Sequence, residues 1–191
     1  MSAAGIRLSP SSSIGSLRQN CSVPLRRAGV VRRERTSPLP VEIERLALLG
    51  WRLTPATANK RGLFPGYLDV ATCDLDTLEQ WAGAHPGFSW KAVPDGSGIL
   101  LLDIDITGAT HADDGVATLR ALCAAHGPLP PRPHGRTPSG GHLLVFRDPG
   151  TPVRRGSGVL GPGIDILHHR LAAMVAPSRR RDGVYRWVIP P

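Results

Sequence analysis

Apolar and polar positions recur with two different periods along this chain, and the switches between them mark out its elements. Val41-Glu42-Ile43-Glu44-Arg45-Leu46-Ala47-Leu48-Leu49 repeats at the spacing of a short amphipathic helix and stops at Gly50. Trp51-Arg52-Leu53-Thr54 alternates like a strand, then enters a loop with Pro and Gly that runs through Lys60, Arg61 and Gly66. A second helix is predicted from Asp74, a residue suited to the N-cap, to about Ala84, with Leu75, Leu78 and Trp81 on one side and Pro86-Gly87 ending it. Residues 89–93 read as a short strand, and Pro94-Asp95-Gly96-Ser97-Gly98 as a turn. A third helix over roughly 114–126 turns Val116, Leu119, Leu122 and Cys123 inward, and the proline-rich stretch 127–133 must be extended. Leu143-Leu144-Val145-Phe146 is a strand, and a basic loop with Arg154 and Arg155 leads to another at Ile164-Asp165-Ile166. Residues 172–177 and 185–188 supply two more short strands across a turn at Asp182-Gly183. Helices and strands mix without a regular β-α-β-α order, which makes the fold class α+β.

One apolar run breaks its own pattern. Ile99-Leu100-Leu101-Leu102-Asp103-Ile104-Asp105-Ile106 reads as a strand buried on both faces, yet it carries two aspartates one residue apart. Side chains alternate along a strand, so Asp103 and Asp105 point to the same side. Two like charges there are costly unless a cation joins them. A hard divalent ion, Mg²⁺ or Mn²⁺, suits carboxylate oxygens; the competing reading has the aspartates capping the turn at Thr107-Gly108. Asp165, after a Gly-Pro-Gly turn, begins its own apolar strand and offers a third carboxylate. Thr137-Pro138-Ser139-Gly140-Gly141-His142 opens a strand with small residues and an imidazole, a combination that allows close backbone approach to a ligand and contact with phosphates.

Charge changes the picture only at one end. The 191-residue chain has a formal net charge of +8. Residues 1–40 hold seven arginines against Glu34, a net +6, and the rest of the chain is close to neutral. Residues 1–38, with Ser9-Pro10-Ser11-Ser12-Ser13 and no sustained period, read as a disordered basic leader, either a solvated tail or a salt-sensitive aid to phosphate-backbone binding. Residues 39–191 form the expected domain. Cys21, Cys73 and Cys123 show no metal-ligand spacing and read as reduced thiols of a cytoplasmic protein. No apolar stretch approaches the roughly 20 residues that span a bilayer.

The order of these pieces is more telling than any one of them. Asp-x-Asp on a strand, a small-residue loop with His, then an apolar residue before Asp resembles the three motifs of the archaeo-eukaryotic primase superfamily, in particular the bifunctional DNA primase/polymerase (Prim-Pol) domain. Leu48-Leu49-Gly50-Trp51 with Lys60-Arg61, Ala71-Thr72-Cys73-Asp74 with Trp81, Gly127-Pro128-Leu129-Pro130, Ala176-Pro177-Ser178 and Tyr185-Arg186-Trp187 resemble its other landmarks, so the likeness spans about residues 41–188. It implies a primase-type core, a mixed sheet with flanking helices. It implies a DNA primase and DNA polymerase of DNA replication, a nucleotidyltransferase in which Asp103, Asp105 and Asp165 are the catalytic, metal-binding residues for magnesium or manganese. Ser139, Gly140, Gly141 and His142 would bind the incoming nucleotide, with Lys60, Arg61 and Arg136 as candidates for phosphate or template contacts, or ordinary surface charges. The implied partners are nucleoside triphosphates, a single-stranded or primed DNA template and a separate helicase, with primer extension favoured over initiation.

Two departures open an alternative. The family shows Ser-Gly-Gly-x-His, whereas His142 directly follows Gly141 here. A one-residue displacement turns a strand side chain to the other face. Either a bulge restores the direction, or Leu143 takes the histidine's place. After Asp165 the family carries an Arg and a glycine-rich turn, where this chain has Leu167-His168-His169-Arg170-Leu171 and Arg170 or a histidine as a substitute. The alternative is therefore a catalytically impaired, Prim-Pol-like nucleic-acid or nucleotide-binding module. Metal-dependent nuclease action by the same carboxylates is a third reading.

Overall fold

The computed structural model describes residues 37–108 and 112–191. The leader reading falls almost wholly on residues outside these. Helix α1 (Val41–Leu48) buries Ile43, Leu46 and Ala47 and ends before Gly50, whose φ of 84° suits a residue without Cβ. Strand β1 (Arg52–Ala56), the short helix α2 (Tyr67–Val70), helix α3 (Leu75–Ala84) and strand β2 (Ser89–Val93) follow. Asp74 caps α3 as the sequence predicts: its carboxylate accepts from the Thr77 hydroxyl at 2.6 Å and from the Thr77 N–H at 2.9 Å, and these bonds, the hydroxyl's first, hold its pKa below the usual carboxylate range.

Strand β3 (Ile99–Ile104) precedes helix α4 (Gly115–His126), which Asp114 caps through the N–H groups of Val116 and Ala117. Then come β4 (His134–Arg136), β5 (His142–Arg147), β6 (Gly156–Ser157), β7 (Ile164–Leu167), β8 (Ala173–Met174), β9 (Arg179–Arg180), β10 (Gly183–Val184) and β11 (Arg186–Ile189). Six strands form the main sheet in the order β11-β4-β5-β3-β7-β6; β1-β2-β8 form a second sheet, and β9-β10 a hairpin. Every described pairing is antiparallel, which corrects the expected mixed sheet: neighbours run in opposite directions both where a short turn joins them, as in β4-β5 and β6-β7, and where helices lie between them in sequence, as in β1-β2 and β3-β5. The mixture of helices and sheets agrees with the α+β class.

Strand β3 lies at the centre, and its alternation divides the core. Leu101 faces Leu143 and Val145 from β5 and packs with α1, β1, α3 and β2. Leu102 and Ile104 face the other way and pack with Leu144, Ile164, Ile166 and the Val116, Leu119 and Leu122 stripe of α4. The two expected C-terminal strands are divided differently: β8 joins the small sheet, β11 the main one, and the turn at Asp182-Gly183 belongs to the β9-β10 hairpin. Cys123 is a free thiol, as expected, and Cys21 lies outside the described residues. Among the described residues no helix is long and apolar enough to cross a membrane.

Candidate functional site

The carboxylates are brought together by strand register. Asp103 on β3 stands directly across from Asp165 on β7, so both side chains leave the same face, the one turned toward the small sheet. Directly opposed residues on antiparallel strands have Cβ atoms about 4.5–5.5 Å apart. One carboxylate oxygen of Asp103, Oδ1, is closed off from solvent.

Asp105 sits just past the end of β3, held by its backbone. Its N–H donates to the Gly163 carbonyl at 2.9 Å, and its own carbonyl accepts from the Gly115 N–H at 2.9 Å. A Cβ on Gly115 would overlap the Gly163 carbonyl, so only glycine lets the start of α4 meet the turn before β7. This contact ties the ends of β3, α4 and β7 together. Asp105 is not drawn into a three-ligand group: among the described residues no three His, Cys, Asp or Glu side chains are arranged to hold a metal ion.

Asp103 opens into a cleft of about 190 Å³ between the two sheets, lined also by Lys60, Lys91, Thr137, Leu143, Met174 and Tyr185. Lys91 is only 8% exposed, its ammonium 4.9 Å from the centre of the Tyr67 ring. Burial first, then the charge of Lys60, holds its pKa below the usual lysine value. Burial pushes the Tyr185 hydroxyl up, an effect that a hydrogen bond with Arg180 opposes and the charge of Asp103 reinforces. Sequence reasoning missed Lys91, Thr137 and Tyr185 as cleft residues. The signal for Lys91 was available: a lysine interrupts Trp90-Lys91-Ala92-Val93, where β2 buries all five of its residues.

The remaining predicted residues go elsewhere. The β3-β5 register pairs Asp103 with Leu143 and Ile104 with His142, without a bulge. Leu143 therefore lines the carboxylate cleft, and His142 points to the α4 side. Arg136, across from His142 on β4, shares that side. A guanidinium only donates, so the 2.7 Å contact from Arg136 Nη1 makes His142 Nε2 an acceptor and puts the neutral ring's proton on Nδ1. That N–H donates to His134 Nε2 at 2.6 Å. Burial, followed by the charge of Arg136, lowers the pKa of both imidazoles.

Residues 137–141 form a tight turn between β4 and β5, closed by Thr137 N–H to the Gly141 carbonyl at 3.0 Å and Gly140 N–H to the Thr137 carbonyl at 3.0 Å. The glycines make room for the chain itself, since a Cβ on Gly141 would stand 2.7 Å from the Ile104 carbonyl oxygen. The turn places Thr137 in the cleft, its hydroxyl 3.1 Å from that of Ser139. Arg61 is exposed and is not among the cleft's lining residues. Arg170 forms an ion pair with Asp69, His169 bonds Asp95 at 2.6 Å and His168 contacts Asp148 at 3.3 Å, so these three are engaged with carboxylates outside the cleft.

Asp103 and Asp165 fit a hard divalent ion. Two adjacent carboxylates on one face supply the protein share of a magnesium-type site, which ordinarily completes its shell with water and substrate phosphate. The lysines on the cleft's wall suit an oxyanion beside it.

Comparison with known proteins agrees with this chemistry at the family level. No curated protein matches the chain. The family model of the bifunctional DNA primase/polymerase N-terminal domain matches residues 43–191, well over half the sequence. The chain belongs to the Prim-Pol family, whose members are generally nucleotidyltransferases acting on nucleotides and DNA.

Proposed function

We propose that this domain adds nucleotides to a primer on a DNA template, with Asp103 and Asp165 holding Mg²⁺ or Mn²⁺. The observation that carries the reading is the direct opposition of Asp103 and Asp165 on the cleft face. When bound, such ions lower the pKa of a primer 3′-hydroxyl and neutralise charge on the departing pyrophosphate. Lys60 and Lys91 face the phosphates of the incoming nucleotide and offset their charge, which also relieves the mutual repulsion of the two ammonium groups. The Ser139–Gly141 turn sets the Thr137 hydroxyl at the cleft as a further phosphate donor. His142 and Arg136 have no part in this cleft because they leave the opposite face of the sheet. A primer-extension assay with Mn²⁺ and Mg²⁺ tests the proposal: incorporation by the wild type that disappears in Asp103→Ala supports it, and a wild type that neither incorporates nucleotide nor binds metal overturns it.

The position of Leu143 favours a second reading, a nucleotide- or nucleic-acid-binding module whose turnover is impaired. An apolar side chain stands on the carboxylate face where the family motif carries its imidazole. Nucleotide affinity that survives replacement of all three aspartates, with no turnover in the wild type, identifies this outcome.

A further inference from the structure

The α4 side of the main sheet holds a second group of cations that the carboxylate cleft does not use. A cavity of about 290 Å³ lies there, walled by Ile104, Val116, Leu119, Leu144 and Ile189, with Arg132, His134 and His142 as its charged or titratable lining. None of its lining residues is acidic. Arg136 adjoins it through its bond to His142, and Arg186 stands across from Arg136 on β11. The Arg132 guanidinium lies over the Phe146 ring at 5.6 Å, and its Nε is buried with no hydrogen-bond partner. The two imidazoles stack with centroids 4.8 Å apart and run in a hydrogen-bonded line from Arg136 to His134.

We infer that this pocket is a second ligand site, which takes a nucleotide unit with its phosphate against Arg132, His134, Arg136 and His142 and its ring system against the apolar wall. The arrangement supplies the guanidinium groups of Arg132 and Arg136 and the His134 ring for an oxyanion, and an apolar surface for a flat body. The sheet separates it from Asp103 and Asp165, so it stands independently of the nucleotidyl-transfer reading. A phosphate there also draws protons onto the two histidines, the only titratable groups among the lining residues besides Arg132, so binding strengthens as pH falls toward 6.

The test follows the histidine ring C–H signals of the full chain by NMR during titration with adenosine monophosphate and, separately, with a ten-residue oligothymidylate. The His134 and His142 signals move and saturate with one or both probes, and do so equally in Asp103→Asn. The midpoint rises roughly ten-fold or more in Arg132→Gln and in the exposed variant Arg136→Gln, the scale of one charged hydrogen bond. A response to the mononucleotide alone identifies a free nucleotide as the ligand, and a response to the oligonucleotide alone identifies a strand. Imidazole signals that ignore both probes overturn the inference. So do shifts that vanish in Asp103→Asn, or midpoints that neither arginine variant changes.

Discussion

Single side chains decide what the carboxylate cleft can do, and Leu143 is the most informative of them. It is 4% exposed and stands across from Asp103, so its replacement addresses the cleft without moving the carboxylates. Leu143→His returns an imidazole to that face. Its expected effects are a tighter nucleotide complex, by roughly ten-fold for one charged hydrogen bond, and a loss of about 2–3 kcal/mol of stability from the buried apolar contact; titration calorimetry and denaturant melts read the two. Lys91 has the opposite balance. Holding an ammonium in a buried site costs folding energy, because burial favours its neutral form. Lys91→Met is therefore expected to raise the melting temperature, roughly 2–4 °C for each kcal/mol recovered, and to weaken triphosphate binding. A variant that binds the triphosphate as the wild type does would remove Lys91 from the phosphate wall.

At the scale of elements, the site depends on where β3, α4 and β7 end. Gly115 leaves to the Gly163 carbonyl the space a Cβ would take, and both residues bond Asp105 through the backbone. Gly115→Ala forces the start of α4 away from that turn. An expected cost of about 1–3 kcal/mol in thermal unfolding, with weaker metal binding than any exposed Gly→Ala control, checks the clamp. The β4-β5 edge carries a pH dependence of its own. His134 and His142 have folded-state pKa values below the unfolded value, so the unfolded chain binds more protons once pH drops below about 6.5. Stability is whole above that pH and is lost progressively down to the folded-state values. Melting curves between pH 7.5 and 5 are expected to show this fall, and His142→Leu to flatten it.

These elements were largely legible in the sequence where the signal was local. Asp74 was an evident cap, and α1, α3 and α4 followed from their apolar stripes. Alternation alone placed Asp103 and Asp105 on one side. Strand β4 was not legible, because three residues of His-Gly-Arg after a proline-rich stretch carry no period, and its pairing with β5 is what joins His134 to His142. The division of the C-terminal strands between two sheets is likewise a matter of long-range pairing, which local pattern does not encode. The sequence leaves the direction of His142 open between a bulge and a turned side chain, and the regular β3-β5 ladder carries no bulge.

For the molecule as a whole, the family match covers residues 43–191, and the antiparallel sheet within them sets Asp103 across from Asp165 on one face. The match accounts for a resemblance that runs through residues without chemistry, such as the Gly50-Trp51 strand entry and the Ala176-Pro177-Ser178 segment. Membership does not by itself decide turnover, because the same register that unites Asp103 with Asp165 sends His142 across the sheet. The whole account rests on those two aspartates sharing a divalent ion. Mn²⁺ titration followed by electron paramagnetic resonance measures this directly in the wild type, Asp103→Asn and Asp165→Asn. The account predicts binding by the wild type that weakens at least roughly ten-fold in each variant, as expected for loss of a charged ligand. Equal affinity in all three proteins, or no binding by the wild type, would contradict it.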